Sequence, residues 1–144
     1  MLSEFQQAMA DFVASPALCN AVRDNPAVLT ARYQLTEREH QRALAIARHK
    51  GMQAACSVYR MNRITPLAIN LRETLQAVGE RLPALMTRYW QDHPRGHTHF
   101  YIESDRFCRW LVQCPEGQAP RVAEPLHREW AVVREALAAS LTDS

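Results

Sequence analysis

Apolar positions in this chain recur at intervals of three and four, the repeat of an α-helix, and nowhere alternate long enough to make a convincing strand. Phe5, Ala8, Met9, Phe12 and Val13 trace one face of a first helix, which the Ser15-Pro16 pair ends, and Pro16 opens a second. Asp24-Asn25-Pro26 interrupts again, and AVLTARY follows as a short helical turn with Pro26 suited to its first position. Thr36-Glu37-Arg38-Glu39 has the order of a capping box: the threonine hydroxyl accepts from the Glu39 amide and the Glu39 carboxylate accepts from the threonine amide. The long helix it starts should bury Leu44, Ala47, Met52, Ala55, Val58 and Tyr59 and kink near Gly51. It should end near Arg63, because Thr65-Pro66 reads as the N-cap and first residue of the next. Leu67, Leu71, Leu75 and Val78 then line the inner face of that next helix.

Gly79 and Pro83 mark a break, after which LPALMTRYWQDH fits a helix ended by Pro94, since the residue before a proline disfavours helical geometry. Ser104 or Glu103 is positioned to start another, with Phe107, Trp110 and Leu111 packing inward. The polar CPEGQAPRVAEP reads as a loop leading to a last helix with Leu126, Trp130, Val133 and Leu137 on one face. The expected fold is all-α, a compact bundle of about six to eight helices with little or no strand. It should form a single domain over residues 1–144, short helices occupying 1–35 and a helical core 36–144.

Length and charge narrow the classes of function. A chain of 144 residues, 47% of them hydrophobic, suffices for one core, and it carries no internal repeat or low-complexity segment. Seventeen Lys and Arg against fifteen Asp and Glu leave a formal charge of +2, well short of the basic excess that drives phosphate-backbone binding. MLSEFQQAMADFVASP carries Glu4 and Asp11 and no continuous apolar run, so it reads as neither signal peptide nor membrane span, and a cytoplasmic protein is expected. Cys19, Cys56, Cys108 and Cys114 contain no Cys-x-x-Cys pair, so buried free thiols are the simple expectation; a bridge between Cys108 and Cys114 is open but has nothing to favour it.

The densest chemistry lies in RYWQDHPRGHTHFYIESDRF, where His93, His97 and His99 fall among Tyr89, Trp90, Phe100 and Tyr101. Pro94 and Gly96 break the continuous helix that would bring His93 and His97 to one face, and nearby Glu103 and Asp105 have no fixed place as further ligands, so no metal is assigned to this chain. No glycine-flanked serine, no cysteine in a catalytic context and no Gly-x-Gly phosphate loop occurs, so no catalytic residue is assigned. Arg60, Arg63, Arg72, Arg81 and Arg88 recur along the middle helices with Glu73 and Glu80 between them, as on an ordinary solvated face. Tyr, Trp and Arg near helix ends are the residue types enriched at the energetic centres of interfaces, which points to a binding protein.

VYRMNRITPLAINLRETLQAVGERLPALMTRYWQDHPRGHTHFYIESDRFCRWL, with its Tyr-Arg-x-Asn segment, Leu-rich helix pair, His-Pro break and Phe-x-x-x-Leu helix, resembles a helical family. APRVAEPLHREWAVVREALAA is similar to that family's closing segment. The family is the small partner proteins of multinuclear non-haem iron oxidases, which include HvfC, the methanobactin subunit MbnC and the thiaglutamate-pathway subunit TglI; the chain ends at Ser144, which favours the last type. The resemblance covers roughly Tyr59 to Ala139. Ahead of it, SPALCNAVRDNPAVLTARYQLTEREHQRAL resembles a small helical unit of an extradiol dioxygenase small subunit, a lid or docking element.

The resemblance implies a non-catalytic accessory subunit that needs no cofactor of its own. It would bind and stabilise a TIM-barrel oxidase holding two or three iron ions. It would also help present a ribosomally made precursor peptide for oxidation of a cysteine, with excision of the β-carbon of a C-terminal cysteine in a thiaglutamate-type pathway. Partner and peptide contacts are expected among Tyr59, Arg60, Asn62, Arg63, Tyr89, Trp90, His93, His97, His99, Tyr101 and Glu103. The alternatives are a small helical DNA-binding protein, for which no recognition helix stands out, and a freestanding metal-binding protein using the loop histidines.

Overall fold

The computed structural model describes residues 2–142, and all the regular structure among them is helical. Two compact units divide the chain, residues 1–61 and 62–144. The first unit takes the capping-box helix with it, so the grouping differs from a division at residue 35. That helix packs on the two that begin the chain, because its small Ala43 and Ala47 let backbones approach closely.

In the first unit, α1 (Glu4–Ala14), α2 (Pro16–Asp24), α3 (Ala27–Arg32) and α4 (Glu37–Arg48) enclose a core around Phe12, Val22, Leu29 and Ala47. The starts follow local chemistry. Ser15 caps α2 by accepting from the Leu18 amide at 3.1 Å, and the box at Thr36 is complete, at 3.2 Å from the Glu39 amide and 2.9 Å to its carboxylate. Ser3 and Gln6 form a second box at α1, which the expected pattern overlooked. α5 (Met52–Asn70) begins after a break at residues 49–51. The break resets the helical phase, so the buried positions that follow are Met52 and Cys56, while Val58, expected inside, is 60% exposed.

α5 continues through Pro66 to Asn70, instead of ending near Arg63. The ring removes one helical N–H, yet Pro66 and Leu67 are both buried, and the Ser104 hydroxyl donates to the Pro66 carbonyl at 3.4 Å while accepting from the Asn70 amide at 3.0 Å. Thus packing outweighs the local preference. The second unit adds α6 (Arg72–Val78), a 3-10 turn at Gly79–Arg81, α7 (Leu82–Asp92), α8 (Phe100–Leu111), α9 (Pro115–Gln118) and α10 (Pro120–Thr142). α10 packs on α6, α8 and α9 and carries Leu126, Trp130 and Val133 into the core. The stretch CPEGQAPRVAEP is helical, not a loop: Pro115 and Pro120 occupy first turns, where a missing N–H is harmless, and Pro125 is buried inside α10. Gly117 is required between α9 and α8, since a Cβ there would stand 2.0 Å from the Leu111 carbonyl oxygen.

α8 starts at Phe100, a turn earlier than expected, because neither Glu103 nor Ser104 serves as its cap; both are fully buried and committed to contacts elsewhere. Trp110 is half-buried rather than fully inside. Among the described residues no helix is long and apolar enough to cross a membrane.

Candidate functional site

The irregular segment 93–99 joins α7 to α8 and carries the three clustered histidines. α7 closes with the His93 amide donating to the Tyr89 carbonyl at 2.8 Å, and α8 opens with the Glu103 amide donating to the His99 carbonyl at 3.0 Å. Between these ends the backbone is held by charged side chains. Arg63 of α5 donates from Nε to Glu103 Oε1 at 3.0 Å and from Nη1 to the His93 carbonyl at 2.6 Å. Glu103 accepts the His97 amide on Oε2 at 3.1 Å, and Arg106 donates to the Arg95 carbonyl at 2.8 Å while standing 3.7 Å from the same carboxylate.

Arg63 and Glu103 are 4% and 0% exposed, so this pair holds the segment from inside the unit. A charge-assisted network of that kind, mostly out of water, is directional and stiff. Space reinforces it: a Cβ on Gly96 would lie 2.8 Å from the Arg63 side chain, so only glycine passes there without displacing the guanidinium.

Aromatic rings pack around the clamp. Tyr89, fully buried, stacks on His93 with centroids 5.1 Å apart and meets Phe107 and Trp110 edge-on at 5.0 and 5.3 Å; the Arg63 guanidinium lies 5.3 Å from its centroid. Burial, and next the Glu103 charge, push the Tyr89 phenol well above its ordinary value and hold it protonated. Among the described residues Tyr89 Oη, Arg63 Nη2, His93 Nδ1 and His99 Nδ1 are buried without a hydrogen-bond partner.

Toward solvent, His97, His99 and Tyr101 form a second row, with centroids 6.5 and 5.8 Å apart. His97 Nδ1 accepts the His99 amide at 3.0 Å, which in the neutral ring leaves the proton on Nε2 as a donor. Beside the segment lies a cleft of about 440 Å³ lined by Asp92, His93, Arg106, Arg109, Trp110, Gln113 and Cys114. The Trp110 indole donates to Asp92 at 2.8 Å across its wall. Burial pushes the Cys114 thiol up from its ordinary value, away from what a nucleophile needs near neutral pH. Among the described residues no group of three or more His, Cys, Asp or Glu is placed to hold a metal ion.

The sequence-predicted residues thus divide. Arg63, Tyr89 and Glu103 are interior and act on the surface only through the segment they hold. Trp90, His93, His99 and Tyr101 are half-buried and His97 is exposed, so these present edges outward. On α5, Tyr59 and Arg60 are half-buried in the first unit and Asn62 is exposed at the start of the second. Residues that the sequence reading missed are Gly96, Arg106 and Arg109. Arg106 and Arg109, three residues apart on α8, were the available signal for a basic wall, and Gly96 was legible as a helix breaker but not as the point where Arg63 passes close to the backbone. No known protein family, curated protein or solved structure gives a match to this chain.

Proposed function

We propose that this chain is a non-catalytic accessory subunit that docks on a multinuclear non-haem iron oxidase and helps present a ribosomally made peptide to it. One observation carries the reading: the backbone of the histidine segment is held on both sides by Arg63, Glu103 and Arg106, so imidazole and aromatic edges are offered in fixed positions. Binding to a preorganised surface loses less entropy than binding to a mobile loop, and Tyr, Trp, His and Arg suit the recognition of peptide carbonyls and carboxylates. The residue pattern from Tyr59 to Ala139 supports the choice of partner class, and in this reading the iron belongs to that partner. The Arg-bearing cleft beside His93 is of a size to take a side chain or a chain end of the peptide.

The test is binding of the purified chain to a co-expressed candidate oxidase, compared with a His97→Ala/Tyr101→Ala variant. Both substitutions fall at accessible positions and leave the Arg63–Glu103 clamp intact. The reading expects a Kd weakened at least about tenfold. An unchanged Kd removes the segment from the interface.

A further inference from the structure

Cys19 and Cys56, both in the first unit, have no part in the proposed docking surface. They come from α2 and the start of α5 and are 3% and 2% exposed, yet they meet at one atom. Each thiol donates to the Phe12 carbonyl oxygen, at 3.2 and 3.3 Å, so the two sulfurs flank a single acceptor. That oxygen also accepts the Ser15 amide at 3.3 Å and stays satisfied if both thiols turn away. Both cysteines line a narrow opening of about 60 Å³ together with Arg23, whose guanidinium brings positive charge to its rim. The opening accommodates molecules the size of water and is too small for a peptide disulfide.

We propose that Cys19 and Cys56 are a redox pair that closes to a reversible disulfide on exposure to hydrogen peroxide. In the first step one sulfur attacks the peroxide: the O–O bond breaks, an S–O bond forms, and the departing hydroxide takes the thiol proton as water. The second sulfur then attacks the sulfenic sulfur, the S–O bond breaks, and the remaining oxygen leaves as a second water. The two thiols give up two electrons and two protons, and the peroxide is reduced to two waters. Burial, with the neighbouring Cys56 adding to it, pushes the Cys19 thiol up to about 11. Closure joins α2 to α5 across the intervening α3 and α4 and restricts the unfolded chain.

The experiment treats the reduced full-length chain with a slight excess of hydrogen peroxide, and in parallel with oxidised glutathione. It reads intact mass, tryptic peptides and melting temperature. The expected product is lighter by two hydrogens, with the peptide ending at Arg23 linked to the peptide ending at Arg60. It melts at least about 5 °C higher and is restored by dithiothreitol. Glutathione disulfide should form it far more slowly. Cys56→Ser should lose both the link and the stabilisation. Addition of oxygen at the thiols without a link, or a link that involves Cys108 or Cys114, overturns the proposal, as does an equal rate with both oxidants. The wild-type mapping alone decides the point if the variant folds poorly.

Discussion

Glu103 faces Arg63 across forty residues of sequence, and together they fix a segment that neither belongs to. Removing one partner of a buried pair strands the other charge, so Glu103→Ala should lower stability by about 3 kcal/mol or more in urea denaturation. Gly96→Ala should act through the same arginine, whose Cγ and Nε stand 2.8 Å from the new methyl, at about 1–3 kcal/mol. Its effect should shrink when Arg63 is also replaced by alanine, and strict additivity in that double-mutant cycle would mean the two do not meet. Asp105 gives a pH signature. Burial raises its pKa, but hydrogen bonds from Arg109 and from the Trp130 indole outweigh this and leave it below the ordinary value. A lowered folded value means stabilisation that is fully present above the ordinary aspartate range and is lost as pH falls from that range through the lower folded value. Wild type should therefore lose more stability than Asp105→Asn between about pH 5 and 3, read from urea midpoints.

Several helix ends that depend on neighbours in sequence were legible in it, although the equally local box of Ser3 and Gln6 was missed. The box at Thr36, the opening of α2 at Pro16 and the stop before Pro94 all rest on groups within four residues of each other, and the apolar stripe Leu67, Leu71, Leu75 and Val78 is buried as its spacing indicates. What could not be read depends on distant groups. Pro66 and Pro125 stay inside helices because the core holds them there, against the local rule that proline ends a helix. α6 has no side-chain cap of its own; Glu129, from α10, accepts the amides of Glu73 and Thr74 at 3.1 and 2.7 Å and the Thr74 hydroxyl at 2.5 Å. A carboxylate at a helix N-terminus satisfies orphan donors and opposes the helix dipole. Glu129→Ala should destabilise the second unit by about 2 kcal/mol, seen as a lower denaturation midpoint in tryptophan fluorescence. No change would mean water replaces the carboxylate without loss.

Trp90, Trp110 and Trp130 all lie in the second unit, so intrinsic fluorescence follows that core, whereas far-ultraviolet circular dichroism reports the helices of both. The all-helical class was visible from periodicity alone. The site was visible only in part: the histidine and aromatic edges stood out by density, while the clamp behind them is a product of tertiary pairing that spacing does not encode. Each unit has its own core, and the second holds the clamped histidine segment on which the proposed accessory role rests.

That role is tested most directly by native mass spectrometry with metal analysis, on the chain alone and after co-expression with a candidate multinuclear iron oxidase. The account predicts a stable heteromeric complex with iron present only when the partner is. Absence of a complex, together with stoichiometric metal on the lone chain that is lost on changing His97 and His99, would contradict it.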